Sequence, residues 1–491
     1  MEALISAVVG DIISRAISIM FGKCREQKTT EEDLQRLHQL LMRISAVVEE
    51  AQGRCVTNRG MIRQISAVKE HMFRGYFLLD AFRCRGKKME DKEVSFAKSK
   101  FNRAKRLRLL SSNSQIESMI IGRDSSKELK QVILVLENMV ADMKEFAIFL
   151  MSYPRIYRQP YGAYLFFDKY MFGRQMEREL AISFLLHDEP PGNEKIGVLP
   201  IVGPSLVGKS TLVEHVCYDD RVRNHFSLIL LYIENDLKDE AVTTFRDNCV
   251  IKHQNVALNG ERSLLIIELL GDVHRVAWKR LLQSAERCMT RGGKIIITSR
   301  SEKTVSFGTT KALRLNYLSK EAYWYFFRML VFGSTDPEEH PKLTSIAMEI
   351  ACEMCGSFMF AYIVASLLKA NLSARLWCRV LRHLTEHRKK NLFLLGEYPL
   401  ADRPRYVWSM AKTWQGSEVI KFFICGDYQK RPASHGEDPK ITAVDLLSGT
   451  WSTMPQGKFE VLSWKSRIPP YYIYTANCQF VRRESGLTLT A

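Results

Sequence analysis

Along the first part of the chain, hydrophobic positions recur at helical spacing. Leu4, Ile5, Val8, Val9, Ile12, Ile13, Ala16 and Ile17 fall on one helix face, with Ser6, Gly10, Ser14 and Ser18 on the other. A second helix is predicted from Thr30, where the TxxD pattern with Asp33 resembles a capping box. Its buried face holds Leu34, Leu37, Leu40, Leu41, Ile44, Val47 and Val48. Two more helices are predicted near 61–82 and 125–151. The spacing is too irregular for a long heptad seam, so residues 1–155 are expected to pack as a local four-helix bundle and not as an extended coiled coil.

Two turn-rich loops, Tyr153 to Gly162 and His187 to Lys195, bracket a short helix near 173–186, and the pattern then changes. Ile196 to Val202, Phe226 to Ile233, Leu264 to Ile267, Ile295 to Thr298 and Ala312 to Leu315 are short apolar or β-branched runs that alternate with helical stretches. Such alternation predicts an α/β domain with a parallel sheet, placed at 156–315. Residues 316–395 read as helical again. In 396–491 proline and glycine punctuate shorter segments, and Lys458 to Tyr474, with Trp464, Tyr471 and Tyr472, alternates as a small α+β or β tail would. The fold class is therefore multidomain.

A length of 491 residues suits about three domains, and 46% hydrophobic with 25% charged residues suits folded cores. The apolar runs Leu264 to Ile267 and Phe358 to Val364 fall short of the ~18 residues a membrane span needs, so none is expected. Glu2, Asp11 and Arg15 interrupt the apolar start, and no signal peptide is expected. Eleven scattered cysteines point to reduced thiols inside the cell. Cys352 and Cys355 form the one CxxC, and without a second pair they read as buried thiols of a helix.

The net charge of +17 permits contact with nucleic acid or an anionic membrane without demonstrating either. From Arg83 to Arg108 eleven basic residues face Glu90, Asp91 and Glu93. That run reads first as a solvated loop with a basic helix start. Contact with an anionic membrane or acidic partner is the second reading. Nucleic acid comes last, because Phe96 and Phe101 supply little for base stacking.

One motif carries chemistry. Gly203, Pro204, Ser205, Leu206, Val207, Gly208, Lys209, Ser210 and Thr211 complete a G-x-x-x-x-G-K-[ST] pattern between an apolar strand and a helix. Its glycines let successive backbone N–H groups and the helix N-terminus surround phosphate oxygens. Lys209 would meet the β- and γ-phosphates, and the Ser210 hydroxyl would reach Mg²⁺. The strand Leu264 to Ile267 ends in Glu268 and Leu269, with the next acid at Asp272. Glu268 is the candidate for magnesium, whereas Leu269 cannot polarise water. Arg300, at the end of the strand from Lys294, is placed to sense a γ-phosphate or else to cap a strand end at the surface.

Several motifs in order resemble the NB-ARC nucleotide-binding switch of plant intracellular immune receptors with an Rx-like helical N-terminal domain. They are Phe172-Gly-Arg174 with Glu177, the Gly203 to Thr211 loop, Tyr218 to Phe226, the Leu264 strand, and Gly292 to Lys303. Leu318 to Trp324, Glu349-Ile-Ala, Cys355-Gly356 and Trp377 to Leu381 continue the likeness. The resemblance implies a switch closed with ADP and open with ATP, with Mg²⁺, and an ARC-like helical segment at 316–395 that helps enclose the nucleotide. It implies that Phe172 and Gly173 lie near the adenine, residues 203–211 around the phosphates, Glu268 at the magnesium and Arg300 at the γ-phosphate.

This chain also departs from the resemblance. Leu269 stands where the family has a second Walker B aspartate, which leaves at most a slow ATPase. Ser357-Phe-Met-Phe360 replaces Gly-Leu-Pro-Leu, so Met359 takes the place of the proline. The bundle's acidic motif is reduced to Leu79-Asp80, and the Met-His-Asp triplet is absent. No leucine-rich period follows residue 390, so a truncated or diverged member is expected. The leading expectation is an ADP/ATP switch in plant defence, cytoplasmic and membrane-associated on activation, that pairs with other receptors through its bundle and oligomerises when active. A nucleotide-free scaffold or decoy, and a P-loop ATPase that remodels a protein or nucleic acid, are the alternatives.

Overall fold

The computed structural model describes residues 30–54, 56–98, 125–154, 172–187, 196–204, 207–233, 250–254, 262–269, 272–289, 292–354, 356–395, 407–409, 421–424, 429–432, 437–443, 445, 457–465 and 472–481. The predicted helix at Leu4 to Ile17 lies outside them. The chain divides into two compact units, Met1–Gln159 with Asp336–Ser345, and Pro160–Thr335 with Ile346–Ala491.

In the first unit, α1 is described over 30–52, α2 is Arg59–Lys98 and α3 is Ser125–Met151. The apolar stripe of α1 buries Leu34, Leu37, Leu40, Leu41, Ile44 and Val48, while Val47 stays half-buried. Ile62, Ile65, Phe73 and Phe77 of α2 and Leu129, Val132 and Leu136 of α3 are buried as well. Gly75 lets α2 come close to α1, since a Cβ there would stand 2.7 Å from a Leu41 methyl. Arg54 donates to the carbonyls of Met151 (3.0 Å) and Tyr153 (2.7 Å), placing a cation at the C-terminal end of α3, where the helix dipole favours it.

The basic run departs from its first reading. Arg83 to Lys98 continues α2 instead of forming a loop, as a proline-free stretch of Lys, Arg and Glu with a single glycine allows. Residues 99–108 lie outside the described chain.

The second unit opens with α4, Gln175–Leu186, and then builds a six-stranded sheet. Its elements in chain order are β1 (Gly197–Val202), α5 (Lys209–Cys217), α6 (Asp220–His225), β2 (Leu228–Ile233), β3 (Val250–Gln254), β4 (Ser263–Glu268), α7 (Arg275–Cys288), β5 (Lys294–Ser299) and β6 (Leu313–Arg314). The spatial order is β3-β2-β4-β5-β1-β6. All neighbours run parallel except β3, which pairs antiparallel with β2 at the edge and answers to no predicted run.

Alternate side chains of each central strand enter two separate cores, as a sheet covered on both faces requires. Leu199, Ile201, Leu264, Ile266 and Ile296 pack with Ile182 and Leu185 of α4 and with Leu212 and Val216 of α5. Val198, Leu265, Ile267, Ile295 and Ile297 pack with Trp278, Leu281 and Ala285 of α7.

Four helices follow: α8 (Lys320–Phe332), α9 (Pro341–Glu353), α10 (Phe358–Ala370) and α11 (Ala374–Leu395). The buried Trp377 indole donates to the carbonyls of Leu368 (3.2 Å) and Asn371 (2.9 Å), satisfying acceptors at the end of α10. The predicted strand-bearing tail is an antiparallel sheet of β7 (Val407–Ser409), β8 (Lys421–Ile424), β9 (Gln429–Pro432), β10 (Lys458–Lys465) and β11 (Tyr472–Val481). β10 and β11 form a hairpin, and the opposite edge of β11 pairs first with β9 and then with β8. No helix of the described residues is long and apolar enough to cross a membrane.

Candidate functional site

β1 delivers the chain to the carboxyl edge of the sheet, where the loop to α5 begins. Gly203 is obligatory there, because a Cβ would lie 2.2 Å from the Leu315 carbonyl oxygen. The Leu315 N–H donates to Val202 O at 2.8 Å and the Gly203 N–H to Ser299 O at 3.3 Å, which fix the start of the loop to β5 and β6. Val207 is wholly buried and anchors the far side, and Gly208, with φ +94°, turns the backbone into α5. Ser205 and Leu206 lie outside the described residues, and Pro204 is exposed. The nine-residue α5 thus presents its N-terminus at this edge, with Lys209, Ser210 and Thr211 half-buried in its first turn.

Lys209 Nζ donates to the carbonyls of Gly203 (2.8 Å) and Pro204 (2.7 Å), folding over the loop. Burial lowers its pKa to about 8, the nearby Arg300 guanidinium adds to the drop, and Glu268 opposes it. These three side chains therefore share one electrostatic neighbourhood. Strand register accounts for it, since Glu268 pairs with Thr298 at the carboxyl ends of β4 and β5, and Arg300 follows directly. Arg300 is exposed, as a group meant for a ligand or for solvent can be.

Leu269 takes a different direction. Its N–H donates to Thr298 O at 2.9 Å, and its side chain is buried in the α7-side core with Trp278. Asp272, the next acid, is paired with Lys303 at 2.5 Å. Hydrogen bonds from Lys303 and Ser301 hold its carboxyl below the ordinary value. Among the described residues, Glu268 is thus the acid that this strand end brings to Lys209.

Phe172 is buried against two rings of α8, stacked on Tyr325 at 6.2 Å and tilted on Phe326 at 5.3 Å. Gly173 has φ +70°, and a Cβ on it would stand 3.0 Å from a Leu318 methyl. The turn at 172–173 and the loop at 203 are joined through the four residues Leu315 to Leu318. Leu315 meets Gly203, Tyr317 meets Gly356 (φ +81°, with a Cβ 3.2 Å away), and Leu318 meets Gly173. Motif reading missed this linker, because its contacts are long-range and partly through backbone atoms.

It also missed the ion network behind the turn. Arg221 of α6 meets both oxygens of Glu179 on α4, at 2.9 and 3.0 Å, and also bonds Asp219. Burial alone would raise the Asp219 carboxyl, but the Arg221 hydrogen bond and the charges of Arg178 and Arg221 hold it below the ordinary value. Within the same core, burial and the charge of Arg178 lower His215 to about 4, which keeps it neutral.

No known protein-family model matches the chain. Disease resistance protein RGA2 of Solanum bulbocastanum is 23% identical over 364 residues, covering 71% of this chain and 35% of that protein. Disease resistance RPP13-like protein 1 of Arabidopsis thaliana, a putative assignment, is 22% identical over 405 residues, covering 78% and 37%. The putative RGA4 of Solanum bulbocastanum is 27% identical over 222 residues, covering 42% and 22%. This chain is similar to plant disease resistance proteins. It spans little more than a third of the length of RGA2 and the RPP13-like protein. Among solved structures, a chain of Drosophila ORC bound to DNA reaches a TM-score of 0.23 at 12% identity, covering 46% of this chain and 64% of that one, too slight a likeness to bear on fold or function.

In this chain, the Ser357 to Phe360 segment forms a helix start. Ser357 caps α10 by accepting from the Phe360 N–H, Tyr323 donates to the Ser357 carbonyl at 2.7 Å, and Met359 is buried. Cys352 is exposed, contrary to its reading as a buried thiol, and Cys355 lies outside the described residues.

Proposed function

We propose that this chain works in plant disease resistance as an ADP/ATP-binding switch. The observation that carries the reading is the convergence of Lys209, Glu268 and Arg300 beside a glycine-framed loop at the N-terminus of α5. The donor set fits the group: a helix N-terminus entered through the left-handed Gly208, with a half-buried lysine in its first turn, suits phosphate oxygens. Lys209 and Arg300 would hold the terminal phosphates, Ser210 and Glu268 would hold Mg²⁺, and Phe172 with Gly173 would border the adenine. Bound nucleotide supplies a charge that differs by one phosphate between its two states. Arg300 and Lys209 respond to that difference, and a difference in contact is what biases a two-state arrangement.

The burial of Leu269 favours a switch over a turnover enzyme, because one acid is left where hydrolysis uses two. The helices of 316–395 form the ARC-like layer in this reading, and the bundle pairs with other receptors in the cytoplasm, reaching an anionic membrane on activation. A nucleotide-free scaffold is the second reading, favoured by Met359 at the family's proline position.

Denaturing the purified protein and chromatographing what it releases tests the proposal. ADP from the parent, with none from Lys209→Ala, is expected. Failure of both to retain or bind ADP or ATP leaves the scaffold.

A further inference from the structure

β10 of the C-terminal sheet is irregular between Leu462 and Trp464: Leu462 pairs with Thr475, and Trp464 with Tyr474. The extra residue, Ser463, turns Trp464 onto the face of β11 that holds Tyr474, whereas an unbroken register would set it opposite Ile473 on the other face. The Leu462 N–H donates to the Ile441 carbonyl at 2.9 Å, which fixes the strand just before the indole. Trp464 then packs against Tyr474 at 5.3 Å between ring centroids and against Tyr362 of α10 at 6.0 Å. Tyr362 meets Phe326 of α8 edge-on at 5.6 Å, and Phe326 meets Phe172 at 5.3 Å. Phe172 and Phe326 are buried, while Tyr362, Trp464 and Tyr474 are half-buried. A series of packed rings thus runs from the tail sheet, through α10 and α8, to the turn ahead of α4.

We infer that the C-terminal sheet is a brake on nucleotide release, and that Trp464, packed on Tyr362, is the contact through which it acts. The inference rests on the nucleotide-binding reading of the site. The mechanism is local stability. A ring in a packed layer loses contact on one side when its neighbour is removed, and the helices it joins then open more often without global unfolding. Among the described residues, the cores on the two faces of the six-stranded sheet contain none of these rings, so their packing is independent of Trp464. Release of a ligand bordered by the turn at Phe172 needs that local opening, and its rate therefore follows the contact made by the indole.

The test uses the full chain and Trp464→Ala, with two readouts: amide hydrogen exchange, and the release of labelled ADP chased by an excess of unlabelled ADP. The expected result is exchange about fivefold faster in α4 and α8, with β5 unchanged, and ADP release faster by a similar factor, the effect of losing one aromatic pair. Trp464→Phe keeps a ring and should stay within about twofold of the parent. Tyr362→Leu cuts the series on the α10 side and should reproduce both changes; it replaces the alanine variant if that one fails to fold. Equally faster exchange in β5 would mean a general loss of stability and overturn the inference, as would an unchanged rate of ADP release from a parent that binds ADP. A parent that binds no ADP removes the nucleotide reading and the brake with it, and exchange in α4 and α8 still decides whether the rings are coupled.

Discussion

Arg221 and Glu179, forty-two residues apart in sequence, face each other as a bidentate pair with nitrogen–oxygen distances of 2.9 and 3.0 Å, and so clamp α6 onto α4. Glu179 is buried and shares its partner with Asp219. Replacing Arg221 by Met leaves two carboxylates short of a cation, and a loss of about 2 kcal/mol in urea unfolding is expected. An unchanged midpoint would show that Arg178 satisfies both acids alone.

Gly203→Ala puts a methyl group 2.2 Å from a backbone oxygen, where no side-chain rotation relieves it. A destabilisation of about 3 kcal/mol is expected, together with loss of ADP retention. The melting temperature and the released nucleotide report the two effects separately.

The Lys209 pKa of about 8 gives the site a pH dependence. Bound phosphate favours the protonated ammonium, so ADP affinity is expected to fall as pH rises above 8, by up to about tenfold per unit. Lys209→Arg keeps its charge throughout and should flatten the profile between pH 7 and 9. A slope retained in that variant would place the titrating group elsewhere.

His215, held near pKa 4 by burial and Arg178, is neutral in the folded protein and takes up a proton near 6.5 when unfolded. Between those values the unfolded chain binds more protons, so stability falls as pH drops from 6.5 to 4, by about 3 kcal/mol at full extent. His215→Met is expected to lessen that acid loss, read as urea midpoints at pH 7 and pH 4.5.

Restoring a second acid at position 269 should not restore hydrolysis. Leu269 lies inside the Trp278 core, and Leu269→Asp would bury a carboxylate there at a cost of about 4 kcal/mol. Phosphate release and thermal melting check both halves; faster ATP turnover in a stable variant would overturn the argument.

The legible parts of the fold were those whose signal is local. β1, β4 and β5 are buried on both faces and read as continuous apolar runs, and the 203–211 loop is a contiguous motif. β3 was illegible because Val-Ile-Lys-His-Gln has neither a continuous apolar run nor a clean alternation, and pairing with β2 at the sheet edge makes it a strand. The extension of α2 to Lys98 was obscured by reading charge as loop, although lysine and glutamate are good helix formers.

The amino-acid sequence by itself determined the helical and strand periods, the phosphate-loop pattern, and the single acid at Glu268. Tertiary structure decided which distant groups meet: Arg174 with the Asn316 carbonyl, 142 residues away, Glu179 with Arg221, and Leu269 with the α7-side core. The reason is physical. A backbone carbonyl is chemically the same at every position and leaves no mark in a sequence. The direction of a side chain at a strand end depends on neighbouring strands that the chain supplies far from it.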